Sequence, residues 1–535
     1  IDTSPPATTC LLDGAAGDNG WWRSGVEVRL AASDATSGLD ETRYRIDAGM
    51  WQIYGGEFVV AGEGAHTLRY YSSDVACNAE GVTLESVDID TVAPASTLVS
   101  LSDDDWISGT VSIAGTASDA TSGVATVSYS VDGGTSWQTA SGTANWSDPW
   151  DTTAVADGDY NVCTRGRDVA GNVESVSCVT VHVDNTAPAS GASRAGTSGC
   201  NGWYQSAVDV TLSASDGPGA GVSSTEYRVD GGAWQAYSSP FTVSGQGTHT
   251  VDYRSTDRLG NVEPIQSLAV DIDGVAPSTS RMPSGSMGRD GWYVSDVAVA
   301  LSASDATSGV DVTRYRVNGG SWQTYSGPFT VSTNGSSAIE YRSTDNACNA
   351  ERTSSLSVSI DTVAPNTLAA PAGTTCGPWY RSPVEVSLTA SDTTSGIDLT
   401  QYRVNGGEWQ TYLEPFTVST NGTSSVEYRS IDNAGNTEAI DSIVLPIDAV
   451  APVTVASLDG TAGGSGWHVS DVDVSLSADD GGSGVALTEY RLDGGEWALY
   501  SGSFTVNTEG AHLVEYRSTD VACNPETVRR LNVNI

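Results

Sequence analysis

Lysine is absent from this sequence, and all 24 basic residues are arginine. The absence excludes Lys–Asn isopeptide cross-links, which need an amine nucleophile, so any covalent stapling must use cysteine. Acidic residues number 66 and the formal net charge is −42, which excludes nucleic acid as a partner on electrostatic grounds. An acidic, lysine-free surface suits a cation-rich or saline exterior, and solubility with a biased genome accounts for it equally well. No apolar run is long enough to span a membrane as a helix, and no basic segment followed by an apolar one opens the chain. The expectation is that such segments were removed or that this is an excerpt of a longer protein.

The residues that are plentiful are Gly, Ser, Thr and Asp, with 39% apolar and only 17% charged residues. That balance suits short strands joined by many turns and argues against long helices. At 535 residues the chain exceeds what one core serves, so several domains are expected. Eight cysteines form an even set, and three Asn-x-Ser/Thr sequons, at Asn145, Asn334 and Asn421, lie in polar, turn-like surroundings. Both features point to an oxidising exterior and to glycosylation at those three asparagines.

A repeat organises the sequence. An Ala-Pro or Pro-Pro pair recurs with its second proline at Pro6, Pro94, Pro188, Pro277, Pro365 and Pro452, at spacings of 88, 94, 89, 88 and 87 residues. This period fits one sandwich domain. Acidic linkers such as Ile89-Asp90-Thr91-Val92 precede the prolines and mark boundaries at 1–92, 93–186, 187–275, 276–363, 364–450 and 451–535.

Within a repeat, alternation such as Val384-Glu385-Val386-Ser387-Leu388 reads as a half-buried strand. A hairpin follows, as in Tyr227-Arg228-Val229-Asp230-Gly231-Gly232, where Asp-Gly or Asn-Gly tolerates the positive φ of a tight turn. All five phenylalanines, Phe58, Phe241, Phe329, Phe416 and Phe504, stand seven residues after the hairpin tryptophans Trp51, Trp234, Trp322, Trp409 and Trp497, and read as core. A second register, Trp21, Trp203, Trp292, Trp379 and Trp467, is expected to cap the sandwich, with a sugar platform as the alternative. The last hairpin closes on Asp-x-x-Gly/Cys-Asn-x-Glu in all six repeats, from Asp74–Glu80 to Asp520–Glu526, giving about seven strands each. The second repeat, with Trp146 and Trp150 and no phenylalanine, is divergent.

With its linker, its Ser-Asp-x-x-Ser-Gly-Val loop and its Asp-x-x-Gly-Asn turn, the chain resembles the bacterial and archaeal Ig-like repeats of large surface proteins. The resemblance implies an all-β fold: six tandem seven-stranded Ig-like β-sandwich domains in an elongated array. It also implies a non-enzymatic extracellular structural protein, a stalk forming part of a cell-surface filament, S-layer or adhesin fibre. The competing reading is a glycan- or surface-binding adhesin module, with Trp146 or Trp150 as the contact, or the spacer of a larger secreted enzyme.

Enzyme motifs are absent: the sequence has no Gly-x-Ser-x-Gly elbow, no phosphate-cradling glycine loop and no His-Glu-x-x-His. His66, His249 and His512 take one position in three separate repeats and read as strand residues. Three acidic positions per repeat are more pointed, because the incoming linker, the loop after the second strand and the final turn all lie at one end of an antiparallel sandwich. They are Asp90, Asp119 and Asp168; Asp184, Asp216 and Asp257; Asp273, Asp305 and Asp345; Asp361, Asp392 and Asp432; and Asp448, Asp480 and Asp520. Their hard oxygens suit calcium, which the resemblance also implies, whereas a turn aspartate bonding its own backbone explains them without an ion.

The same geometry pairs the cysteines. Cys163 and Cys178 flank a hairpin, and Cys10 shares an end with Cys77. Cys200 and Cys376, just before a Trp step, are expected to reach Cys348 and Cys523 in the next repeat's final turn. Expected partners are copies of the chain, head-to-tail or lateral, or a longer parent chain, with glycans in the binding reading.

Overall fold

A computed structural model describes residues 1–535. Strands dominate, and the only helix is a 3-10 turn at Thr152–Ala154. They form twelve sheets, six of three strands and the others of four to six. The stretch from 278 to 360 shows the plan. Ser278–Ser284, Val297–Ser304 and Phe329–Val331 make the three-stranded sheet, and Trp292–Tyr293, Ser354–Ile360, Gly335–Asp345, Val310–Val317 and Gln323–Thr324 the five-stranded one. Pairing is antiparallel except that Trp292–Tyr293 runs parallel to Ser354–Ile360. Eight strands therefore stand where about seven were expected, because two-residue edge strands carry too little alternation to be read.

The period-2 pattern places the core. Val297, Val299 and Leu301 of one sheet pack against Ile339, Tyr341, Val358 and Ile360 of the other, and all are buried. Phe329 joins that core from its rim, stacked on Tyr315 with ring centroids 3.8 Å apart. The hairpins turn as the sequence requires, with φ of 52° at Asp230 and 70° at Gly231 and the same at Asn318 and Gly319 within a degree. Each hairpin Asp or Asn also accepts a strand amide, as Asp230 Oδ1 does from Thr250 at 2.9 Å.

The hairpin tryptophans lie outside the core. Trp234 is half-buried on the outer sheet face between the guanidinium carbons of Arg228 and Arg254, 4.7 and 4.6 Å from its centroid. Trp322, Trp409 and Trp497 are clamped likewise. The arginines are paired in turn, Arg228 with Asp252 and Arg254 with Glu226. A planar guanidinium can stack on indole and bond a carboxylate at once, whereas an ammonium is a point charge. This ladder uses arginine for a reason lysine could not meet.

The second tryptophan register is corrected. Trp22, Tyr293 and Tyr380, one residue after it, pack on the cores, while Trp21, Trp292 and Trp379 stay half-buried on the opposite face. The cap is carried by the neighbour.

In the divergent second repeat, Trp146 and Trp150 lie in the core on Asn145–Asp151, which pairs with Thr110–Ser118. Neither is an exposed glycan platform. Trp106 holds the exposed place instead, its ring 4.8 Å from that of His182 beside a cleft of about 260 Å³.

The chain divides into two compact bodies, Ile1–Ser198 with Ser206–Ile272, and Gly199–Gln205 with Asp273–Ile535.

Candidate functional site

The repeated turn motif is a hydrogen-bonding device. In Asp432–Glu438, Asp432 accepts the amide of Asn436 at 2.8 Å on Oδ1 and its side-chain Nδ2 at 2.8 Å on Oδ2. That Nδ2 also reaches the linker carbonyl of Asp361 at 2.9 Å. Glu438 accepts the backbone N–H and the hydroxyl of Thr367, both at 2.6 Å, and the amide of Ser430 at 3.0 Å. One turn thus ties down the linker and the first strand together. Equivalent asparagines, Asn172, Asn261, Asn349 and Asn524, bond the linker carbonyls of Asp90, Asp184, Asp273 and Asp448.

The aspartates converge as the topology requires. Asp90, Asp119 and Asp168 offer one oxygen each within 4.8 Å of one another, as do Asp184, Asp216 and Asp257; Asp273, Asp305 and Asp345; and Asp361, Asp392 and Asp432. In the last triad the linker Asp361 Oδ2 accepts Ser395 N at 3.0 Å, and Asp392 Oδ1 accepts Thr394 and Gly396 N at 3.0 and 2.7 Å. Asp448, Asp480 and Asp520 make the matching bonds to Ser483, Gly484 and Asn524. A further triad, Asp2, Asp34 and Asp74, was missed at the sequence level although Ile1-Asp2-Thr3 repeats the linker pattern.

Charge is concentrated here. Burial raises the Asp520 carboxyl above its ordinary range, and repulsion from Asp448 and Asp480 adds to it. Burial likewise raises Asp216, with Asp184 and Asp257 adding to it. Oxygens on one calcium, each about 2.3–2.6 Å from the ion, lie at most about 5 Å apart, so the triads fit such an ion. Asp119, Asp305 and Asp392 bind their loop amides through Oδ1, which leaves Oδ2 for a cation.

The histidines serve the hairpins. His66, His249 and His512 sit 3.0, 2.8 and 2.7 Å from Asp47, Asp230 and Asp493. Those bonds lower the three aspartates and raise His66 and His512. The His66–Asp47 and His512–Asp493 pairs favour the fold between about pH 4, below which the carboxylates protonate, and about pH 6.5, above which the imidazolium begins to be lost.

Sulfur joins Cys163 to Cys178, Cys200 to Cys348 and Cys376 to Cys523. Cys10 and Cys77 remain free thiols, against the expected bridge. The turn meets the first strand at Thr8, where Glu80 accepts its amide at 3.0 Å. Cys10 stands one pleat farther along, about 7 Å, and packs on the core. Burial pushes its thiol up to about 11, with Glu85 adding to the effect.

Of the sequons, Asn145 is exposed but opens a strand rather than a turn. Asn334 and Asn421 stand at bends, where their Oδ1 atoms accept the linker amides of Thr362 and Ala449 at 3.1 and 3.2 Å.

Residues 94–163 match the family model of the bacterial Ig domain. The chain contains a bacterial Ig-like domain. The matched segment lies in the repeat that diverges most from the others, and the sheets on either side carry the same tandem sandwich plan. No curated protein matches the chain. Among solved structures, domains 4–9 of surface layer protein SbsC align over 99% of both chains at 9% identity and a TM-score of 0.20. The N-terminal eight Ig domains of Down syndrome cell adhesion molecule align over 99% of this chain and 85% of that one, at 10% identity and 0.20. Fibronectin(III)-like modules of Clostridium thermocellum CbhA cover 33% of this chain and 94% of their own at 18% identity and 0.20. No helix is long and apolar enough to cross a membrane.

Proposed function

We propose that this bacterial Ig-like chain is a non-enzymatic structural protein of the cell exterior, a tandem stalk within a filament, surface layer or adhesin fibre. We take its modules as 1–92, 93–186, 187–275, 276–363, 364–450 and 451–535. The observation that carries the reading is a contact repeated along the chain. The hairpin before one Trp step seats on a later Asp-Asn-Glu turn, as Asp18 N does on Ala170 O at 2.9 Å and Arg289 N on Ala434 O at 2.9 Å. Where cysteine is present the contact is covalent, as in Cys376–Cys523. A protein that transmits load needs recurrent joints between its modules, and three disulfides suit an oxidising exterior. Cryo-electron microscopy of the protein as it comes off the cell is expected to show axial order with a domain-sized repeat. Isolated rods ending in a distinct tip domain would instead make it the spacer of an adhesin or secreted enzyme.

The stalk reading includes calcium at the aspartate triads, where an ion would offset the carboxylate repulsion. Adding calcium to chelator-treated protein is expected to raise the melting temperature, since an ion at 100 times its Kd contributes about 2.7 kcal/mol per independent site. Identical melting with chelator and with excess calcium would leave the triads as hydrogen-bonded turns only.

A further inference from the structure

The final turn of the first repeat carries a docking face that nothing in residues 1–535 covers. Its sequence, Asp74-Val75-Ala76-Cys77-Asn78, is identical to Asp520-Val521-Ala522-Cys523-Asn524. Its backbone has the same form, with φ at Cys77 of 64° against 67° at Cys348 and 66° at Cys523. Each of these three cysteine amides bonds the carbonyl of its turn aspartate at 3.0 to 3.1 Å.

The environments differ. Ala170, Ala347, Ala434 and Ala522 are each fully buried, whereas Ala76 and Cys77 are exposed and Val75 is 63% exposed. A hairpin reaches three of the buried turns in the same way. Asp18, Cys200 and Arg289 give their amides to the carbonyls of Ala170, Ala347 and Ala434 at 2.9, 3.3 and 2.9 Å. Asn19 and Asn201 add side-chain bonds to the carbonyls of Val169 and Asn346 at 2.9 and 3.0 Å. The glycine before the docking residue is required by this approach: a Cβ on Gly17, Gly199 or Gly288 would stand 2.4, 2.3 or 2.2 Å from the alanine carbonyl it faces. At the fourth buried turn, that of Ala522, Cys376 is bonded to Cys523. Wherever the turn carries cysteine and is covered, the covering loop supplies the second sulfur.

We infer that the Ala76–Cys77 face receives the Trp-step hairpin of a further Ig-like module, one with cysteine at the Cys200 position, and closes a disulfide with it. The two loop cysteines within residues 1–535, Cys200 and Cys376, are already bonded. The matching hairpin of the sixth repeat has Gly464 in that place, so the docking hairpin of a second copy of this stretch carries no sulfur. Closure joins two thiols, releases two protons, and passes two electrons to a disulfide oxidant, which is reduced to two thiols. Cys10 does not compete, since its thiol is packed on the core of its own repeat. The inference stands apart from the structural role, because a stalk and a binding protein would both use such a joint.

The test supplies the missing sulfur within this chain. Gly464 precedes a turn of the same form, with φ of 61° at Ser465 and 81° at Gly466 against 53° and 86° at Asn201 and Gly202. A Cβ at position 464 meets nothing within 4 Å, so Gly464→Cys leaves the fold intact. In a mixture of reduced and oxidised glutathione, G464C is expected to form a ladder of head-to-tail multimers on non-reducing gels. Reductant should collapse the ladder, adding Cys77→Ser should abolish it, and adding Cys10→Ser should leave it unchanged. A product that stops at a dimer and persists in the Cys77→Ser background would be two copies joined through the introduced thiol alone, and would overturn the inference. So would a protein that stays monomeric while Cys77 and the introduced thiol both react with a maleimide. Wild-type protein that assembles through this face without any sulfur at position 464 would transfer the face to a second copy.

Discussion

Replacing Trp146 by alanine is expected to cost about 3–5 kcal/mol, the range for removing a large aromatic side chain from a core. The ring is 2% exposed and packs in the cluster built on Ile113, Val127, Val162 and Val181. The backbone opposite is cut to fit it. Gly115 faces Trp146 across the strand pair, and a Cβ there would lie 2.6 Å from the indole and 1.9 Å from the carbonyl of Thr97. No small side chain can enter from Gly115 to fill the hole, which favours the upper part of the range. The buried Nε1 has no hydrogen-bond partner, and its removal returns part of the loss, about 1–3 kcal/mol for such a group. Calorimetry should therefore show one transition moving to lower temperature while the rest of the trace holds. A loss below about 1 kcal/mol would mean the core of this repeat is not built around Trp146.

Much of this architecture was legible because it is local. Alternation in Val384–Ser391, the Asp-Gly hairpins and the Asp-x-x-Gly-Asn turn each involve neighbours in sequence, and each took the expected form. The aspartate triads were legible for another reason: an antiparallel sandwich brings linker, loop and final turn to one end whatever their sequence separation. What was not legible depended on which face a residue takes in a strand two or three residues long. Trp21 and Trp22 are both aromatic, and only the pairing of Trp22 with Ile89 decides that Trp22 faces the core. The arginine clamp on Trp234 joins residues 228 and 254, whose juxtaposition follows from the pairing of Glu226 with Arg254. Cys10 was placed at the correct end of its repeat but one pleat away from the turn. A disulfide tolerates no such error.

Substituting Glu263 by alanine is expected to destabilise its repeat by about 3–5 kcal/mol, although the side chain touches no charged partner. Its Oε1 accepts the amide of Ser190 at 2.8 Å, and its Oε2 accepts the Ser190 hydroxyl at 2.5 Å and the Ser255 amide at 3.1 Å. Ser190 and Ser255 hydroxyls also share a bond of 2.6 Å, and Ser255 is fully buried. Removing the carboxylate strands two backbone donors, at about 1–3 kcal/mol for each buried group left unsatisfied, and detaches the first strand from the final turn. The conservative variant separates this account from simple loss of bulk. An ionised carboxylate only accepts, whereas an amide has one accepting and one donating end. In Glu263→Gln, the NH2 must face either the Ser190 amide or the Ser190 hydroxyl and Ser255 amide together, so at least one donor meets a donor. Glu263→Gln should consequently lose about 1–3 kcal/mol despite keeping the size and shape of the side chain. Denaturant unfolding of both variants decides the matter. If glutamine restores full stability, the six turn glutamates act as space-fillers, and the identity of the last residue in the Asp-x-x-Gly/Cys-Asn-x-Glu motif needs another cause.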